Sequence, residues 1–444
     1  MVAMVVQFLL SLSLLIILHE FGHFLPARWF KTRVEKFFLF FDYPGKLFSK
    51  KIGDTEWGIG MLPLGGYVKI SGMVDESMDT EALKLPPKDY EFRSKKAWQR
   101  LIIMLGGVTV NFLLGFFIFG MLFWQYGESY VSAEKQPFGI IADSLGKLIG
   151  LQTSDKILKV GDAPFTKLNS QDLLKGILFG NSKTIEVERN GVNKVIDLPS
   201  DVLLTLSKYS NKGKDLFLVP DPFKIGMVNK NSQADKGGVK EGDAVLYING
   251  ETAQYFSLFQ RVAQKYKAQE TTWRVKRNND TLNLKVTSDS KGKFGFVAAS
   301  EVEKFYDIKR NNYSLAQAIP LGFHRGMSFL SDQVSGMGKL FTGEIKAKES
   351  MGGFISIAEN YGKTWDWERF WVITGSLSLV LAFMNLLPIP ALDGGYVVFL
   401  LWEIVTGKKV SDKFLERAVT VGFFLLLALI LSVNGLDIIR KIFG

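Results

Sequence analysis

The chain has 444 residues, 47% of them hydrophobic, a formal net charge of +10, three histidines and no cysteine. The lack of cysteine excludes disulfides, thiolate-bound zinc and a thiol nucleophile, so any metal must be held by His, Asp or Glu. Length and apolar content together exclude one small soluble domain and indicate a membrane protein with a sizeable water-soluble part; the positive balance reads as positive-inside bias and solvated surface, since no nucleic-acid motif accompanies it.

The first apolar run, 4–24, ends in HEFGH at positions 19–23. On a helix, HExxH sets its two histidines one turn apart on one face, so His19 and His23 can bind one zinc while Glu20 reaches a water activated there. The competing reading, two histidines hydrogen-bonded inside a helical bundle, is disfavoured because ionisable groups in a spanning segment are costly and usually functional. The run has no basic leader and no small-residue cleavage site, so it reads as a retained span rather than a signal peptide.

A basic stretch follows, 28–100, with Arg28, Lys31, Arg33, Lys36, Lys50 and Lys51. Within it, 58–72 reads as a glycine-interrupted hairpin with strand-like Tyr67, Val68 and Ile70. The second span, 101–124, carries Gly107, Asn111 and Gly115 at intervals of four, one helix face suited to close packing and, through Asn111, to contact with the site.

The long segment after it repeats. GLQTSDKILKVGD begins at Gly150 and GVKEGDAVLYING at Gly238, and Val187 of VERNG and Val275 of VKRNN are likewise 88 residues apart. Two landmarks at one spacing argue for duplication, each copy reading as short strands around one helix, such as 257–267. The second copy's pattern resembles the bacterial PDZ domain, a peptide-binding module; the first departs from it at Ser154, where the second has Gly242, and lacks the Asn249-Gly250 turn. The tandem reads equally as a size filter over the membrane. Next, Phe323, Met327, Leu330, Val334, Met337 and Phe341 form a helical apolar stripe, expected on the membrane surface or in the core, with His324 facing solvent.

The third span, 370–387, ends in MNLLPIPALDGG. Asn385 sits on its last turn, Pro388 and Pro390 break the helix, and Asp393 is presented on the irregular stretch beyond. Two histidines leave a tetrahedral site one protein ligand short, and this span supplies a carboxylate; alone the segment reads as a helix C-terminus with an ordinary capping turn, but paired with HEFGH it points to Asp393 as that ligand. A fourth span is 418–433, preceded by Lys408, Lys409 and Lys413. The positive-inside rule sets both basic stretches in the cytoplasm and both termini outside.

HEFGH with Ala27-Arg28, PLGGYVKISGM at 63–73, Gly107 and Asn111, the duplicated insert, GGFISIA at 352–358 and NLLPIPALDGG recur in order over essentially the whole chain. Together they resemble the intramembrane site-2 zinc metalloproteases of the regulator-of-sigma-E type. The resemblance implies zinc bound by His19, His23 and Asp393, Glu20 as catalytic acid/base, Asn385 holding substrate or oxyanion, and a membrane-dipping hairpin whose Gly65, Gly66, Tyr67 and Val68 pair with substrate, with Asn111 nearby. It also implies a bacterial inner-membrane location with the PDZ pair on the periplasmic side, and single-span substrates trimmed beforehand, including an anti-sigma factor and spent signal peptides. Pro26 and Phe354 depart from the family pattern, and Pro26 is expected to stop or kink the first helix.

The expected architecture is a multi-pass α-helical membrane protein with four transmembrane helices, a membrane-associated β-hairpin and two inserted PDZ-like α+β domains. Its parts are a membrane catalytic half at 1–127, PDZ-like copies at 128–217 and 218–303, a helical connector at 304–367 and a second membrane half at 368–444. The partners are the bilayer, single-span substrates and peptide ligands of the PDZ copies, with no nucleic acid. The alternative function is a catalytically silent receptor that binds outer-face peptides.

Overall fold

The computed structural model describes residues 2–73, 86–211 and 213–443. The chain divides into two compact units, Met1–Gly127 with Asn312–Gly444, and Glu128–Asn311. The first unit holds the long helices α1 (Val2–Trp29), α2 (Ala97–Tyr126), α3 (Leu315–Thr342), the short α4 (Phe354–Asn360), then α5 (Trp367–Leu386), α6 (Asp393–Thr406) and α7 (Asp412–Phe443). Four of these, α1, α2, α5 and α7, are long and apolar enough to cross a membrane. Together with the β sheets of the second unit this is the build of a multi-pass membrane protein with β domains.

Helix α1 does not stop at Pro26 but continues to Trp29, with Phe30 N–H donating to the Pro26 carbonyl. Proline has no N–H for the carbonyl four residues back, that of Gly22. That carbonyl lies against Gly106 of α2, where an added Cβ would come within 1.9 Å of it. The two backbones meet at this point because neither residue has a side chain.

Strands β1 (Val34–Ile52) and β2 (Thr55–Ile70) form a larger hairpin than the 58–72 unit expected. Residues 58–70 lie within the single strand β2, and the hairpin turns at 53–54, where Gly53 has φ 61°. The hairpin folds back on itself: 36–39 pairs with 66–69 on one side and with 56–59 on the other, while 46–52 pairs with 55–60. Residues 66–70 therefore form a margin of the sheet, one side of their backbone left outside its ladder. Phe37, Val68 and Ile70 pack with Ile103 and Met104 of α2 and Tyr396 and Leu400 of α6 in one core.

On helix α3 the apolar stripe stays out of the core, which leaves the membrane-surface alternative. Its buried residues are Ala318, Gly322, Gly326 and Lys339, whereas Phe323, Met327, Val334 and Phe341 are exposed, Phe341 by 84%. The small face wins because Gly322 meets the backbone of Gly120 and Gly326 the ring of Phe116, both on α2. His324 is exposed, as expected. GGFISIA starts α4 beneath α7: the Phe354 N–H donates to Asn434 Oδ1 at 2.9 Å and the Ser356 N–H to Asp437 Oδ2 at 2.9 Å, which satisfies donors a helix start leaves open.

The second unit contains two modules of one design. In the first, Ala163–Pro164, Lys156–Val160, Thr184–Arg189 and Val192–Asp197 make a four-stranded sheet; in the second, Glu251–Thr252, Ala244–Ile248, Glu270–Arg277 and Asp280–Thr287 do so in the same order. Each packs one helix, Ser170–Leu178 or Phe256–Lys265, over its own core. The sequence spacing reappears in the ion pairs, since Arg189 grips Asp155 and the Gly150 carbonyl while Arg277 grips Asp243 and the Gly238 carbonyl. Ser154 takes φ 75° where Gly242 takes 87°, so the departing residue keeps the left-handed turn. The connector starts later than 304: Ile308–Asn311 pairs with Glu128–Val131, and Tyr306 is buried in the first module's core.

Both aspartates are fully buried. Arg277→Met is expected to destabilise the second module by about 3 kcal/mol, because it strands a charged carboxylate away from water. The check is the midpoint of urea unfolding of the full chain followed by proteolysis within 218–303, with exposed Lys285→Met as the neutral control.

Candidate active site

Helix α1 carries His19, Glu20 and His23 one turn apart, and α6 presents Asp393 from its first turn. Asp393 thus opens a helix rather than lying in irregular chain, and the partial positive charge of a helix start favours its carboxylate. The approach from α5 is a tight turn in which Ala391 adopts φ 80°, a left-handed conformation uncommon for a residue with a side chain. Gly394 and Gly395 permit it: a Cβ on either would fall within 2.2–2.6 Å of the carbonyls of Leu387 or Ile389. This is why the motif reads Asp-Gly-Gly.

His19 Nε2, His23 Nε2 and Asp393 Oδ2 form a nearly equilateral triangle, with sides of 3.3 Å between the histidines, 3.3 Å from His23 to Asp393 and 3.4 Å from His19 to Asp393. A zinc with bonds near 2.0–2.1 Å to tetrahedral ligands sets them about 3.3 Å apart, so the triangle matches one face of such a site. Asp393 Oδ2 is buried and has no hydrogen bond of good geometry, although both histidines are near. Three acceptor atoms facing one another around a common point fit a cation between them. They are the group of His and acidic side chains able to hold a metal among the described residues.

The orientation of each ring is fixed from behind. His23 Nδ1 lies 2.8 Å from the carbonyl of Ile103. A carbonyl only accepts, so Nδ1 carries the proton and Nε2 is left with a lone pair that a metal could take. His19 Nδ1 lies 3.2 Å from the side-chain amide of Asn111, whose backbone carbonyl accepts from Ser378 Oγ at 2.7 Å. The amide nitrogen, Nδ2, is the nearer atom here; were Nε2 to bind a metal and Nδ1 to carry the proton, the amide would turn to present its oxygen. Asn111 is fully buried. It backs the His19 ring and has no open surface to offer a substrate, contrary to the expectation that it binds one.

Gly107 sits closer still. A Cβ there would be 2.4 Å from His23 Nε2 and 2.6 Å from His19 Cε1, so the missing side chain makes room for both rings. Asn385 Nδ2 lies 3.3 Å from His19 Nε2, beside the triangle. Glu20 lies alongside, its carboxylate accepting from the backbone N–H of Val68 on the sheet margin. Of the other strand residues, Gly66 passes α1 so closely that a Cβ would be 2.5 Å from Ile16, Gly65 faces the Phe41 ring, and Tyr67 stacks on Phe38 and Phe41. The Val68 side chain is buried, so this residue offers only its backbone. Nothing in the sequence marks the Ile103 carbonyl as the acceptor behind His23; the adjacent Gly106 and Gly107 were the available signal of a close crossing.

The family model of peptidase family M50 matches residues 7–429. The chain belongs to peptidase family M50. It is similar to the regulator of sigma E protease of Haemophilus influenzae, 27% identical over 98% of each chain, and to the regulator of sigma-E protease RseP of Escherichia coli, 27% identical over 95% of each. A relative from Neisseria meningitidis serogroup A that bears a zinc-metalloprotease name is 26% identical over 98% of this chain and 99% of its own. This M50 peptidase is a zinc metalloprotease, which sets aside the silent-receptor reading. Its donor set of two imidazoles and one carboxylate is one that zinc hydrolases use.

Proposed function

We propose that this M50 peptidase hydrolyses peptide bonds inside the membrane, cutting the transmembrane segment of single-span proteins whose outer domain has already been removed. The observation that carries the reading is the 3.3–3.4 Å triangle of His19, His23 and Asp393, borne by helices whose neighbours are apolar enough to span a bilayer. In this reading those three residues hold the zinc. Zinc bound there would polarise the scissile carbonyl and lower the pKa of a water toward neutrality. Glu20 takes the proton of the attacking water and hands it to the leaving amine, and the Asn385 amide donates to the oxygen that becomes negative.

A substrate helix hides its carbonyls in its own hydrogen bonds and must unwind before attack. The margin of the hairpin sheet at 66–70 suits that need, because an extended segment can add to it as a further strand beside Gly65, Gly66, Tyr67 and Val68. Since the Val68 N–H meets Glu20, a substrate strand laid there runs past the base.

Four spans, with the termini and the β-rich unit on the periplasmic side of a bacterial inner membrane, complete the proposal, with that unit's two modules taken as PDZ-like. They exclude uncut substrates or bind their freed ends. The likeness to relatives named for sigma E regulation supports a membrane-bound anti-sigma factor of an envelope stress response as substrate, together with remnant signal peptides.

The test is cleavage by the purified, zinc-loaded chain of a single-span substrate with and without its folded outer domain. The trimmed form is expected to be cut within its apolar segment, located by mass spectrometry of the fragments, while the untrimmed form stays intact. Cleavage only outside the apolar segment would overturn the reading.

A further inference from the structure

Hydrolysis in an apolar environment needs a supply of water as well as a metal. Each cleaved bond consumes one molecule: its oxygen joins the carbonyl carbon, the C–N bond breaks, one hydrogen stays on that oxygen and the other goes to the amine. The inference here rests on the proposed intramembrane hydrolysis and concerns where that water comes from.

The interior of the membrane unit contains a line of fully buried polar side chains, of which only the last two, Ser378 and Asn111, have entered the description of the site. On α1, Gln7 and Ser11 lie on the same face as His19, separated from it by the apolar Leu15. The line avoids Leu15 by leaving the helix. The Tyr361 hydroxyl, at the end of α4, lies beside the hydroxyls of Ser11 and Thr374. One turn along α5 from Thr374 is Ser378, which donates to the Asn111 carbonyl, and the Asn111 amide meets His19. Every step is thus a contact or a single helical turn, from the N-terminal turns of α1 to a zinc-facing histidine.

Polar residues between membrane helices ordinarily serve as glue, and glue is satisfied glue. Here Gln7 Oε1, Ser11 Oγ, Tyr361 OH and one amide atom of Asn111 are buried without a hydrogen-bond partner of good geometry. Buried polar atoms are rarely left so, and a row of them bordering one seam is the setting in which ordered water is held. We infer that this seam conducts water between the membrane face that holds the N-terminus and the metal site, supplying the molecule each turnover consumes.

The absence of cysteine makes the seam directly testable, because one introduced thiol is the only one in the chain. Ser11→Cys and Ser378→Cys, isosteric changes in the full chain reconstituted in vesicles, are treated with a small water-soluble methanethiosulfonate. The control is Leu379→Cys, whose position is equally buried on α5 but apolar. The seam thiols are expected to react at least about tenfold faster than the control, since thiol reactivity follows access to water. Reaction at the control's rate would mean a dry seam and would overturn the inference.

Labelling reads water whether or not the chain cuts peptide, so failure of the protease reading remains distinguishable. The supply role has a second readout: Ser11→Leu, which plugs the seam far from the metal, is expected to lower kcat about tenfold with KM and zinc content unmoved. Rapid labelling with unchanged kcat in the plugged variant would overturn the supply role.

Discussion

Glu20→Gln is expected to retain about one zinc per chain while kcat falls by roughly 10²–10⁴-fold, the usual worth of a general acid–base group. Glutamine preserves shape and can still face the Val68 backbone, but it cannot take a proton from water at neutral pH. Asp393→Asn is expected to fail in a different way. The neutral amide is a poor zinc ligand and leaves two imidazoles to hold a dication alone, so metal content drops and activity with it. Metal analysis by mass spectrometry alongside cleavage of the trimmed substrate separates the two. A Glu20→Gln variant that cuts at the wild-type rate, or an Asp393→Asn variant with full zinc and full activity, would remove the residue concerned from its role.

Gly107→Ala is expected to be nearly as damaging although it adds only a methyl group and touches no substrate. That carbon would stand 2.4 Å from the metal-facing nitrogen of His23, far inside any contact distance. Relief requires α2 to withdraw or the imidazoles to turn aside. Withdrawal opens the close crossing of Gly106 on the Gly22 carbonyl and carries the Ile103 and Asn111 supports away from the imidazoles. By either route the rings lose their setting, and zinc affinity is expected to fall by at least about 10–100-fold, the range seen when the supports of metal ligands are lost. Excess zinc should restore part of the activity. Gly115→Ala is the matched control on the same face: its Cβ would meet the side chain of Leu379, which can adjust, so zinc affinity should hold. Equal zinc affinity in both variants would sink the account of Gly107.

Much of this site is legible in the sequence because its chemistry is local. HEFGH places three side chains by helical spacing alone, and the shortage of donors in a cysteine-free chain leads to Asp393. The duplication was equally plain, since the same offset that aligns Val187 with Val275 aligns the two Asp–Arg pairs. What escaped were features decided by backbone meeting backbone across distant parts of the chain. The hairpin was read too small because β1 pairs with two parts of β2 at once, a register that strand patterning cannot reveal. The apolar stripe of α3 leaves core and membrane surface open in sequence, and it is two glycines that set the buried face. An asparagine next to a site looks the same in sequence whether it faces a substrate or, as Asn111 does, the back of a histidine.

The proline within α1 has a consequence for how the enzyme can move. Where side chains mediate a helix crossing, the two helices can slide by a fraction of a turn as rotamers readjust. At Gly22 and Gly106 nothing adjustable intervenes, and the carbonyl that Pro26 cannot engage is the one that bears on the partner. The crossing behaves as a fixed bearing directly beneath the histidines. A movement of the membrane helices then pivots about this point, and His19, Glu20 and His23 keep their place against α2 while other parts swing.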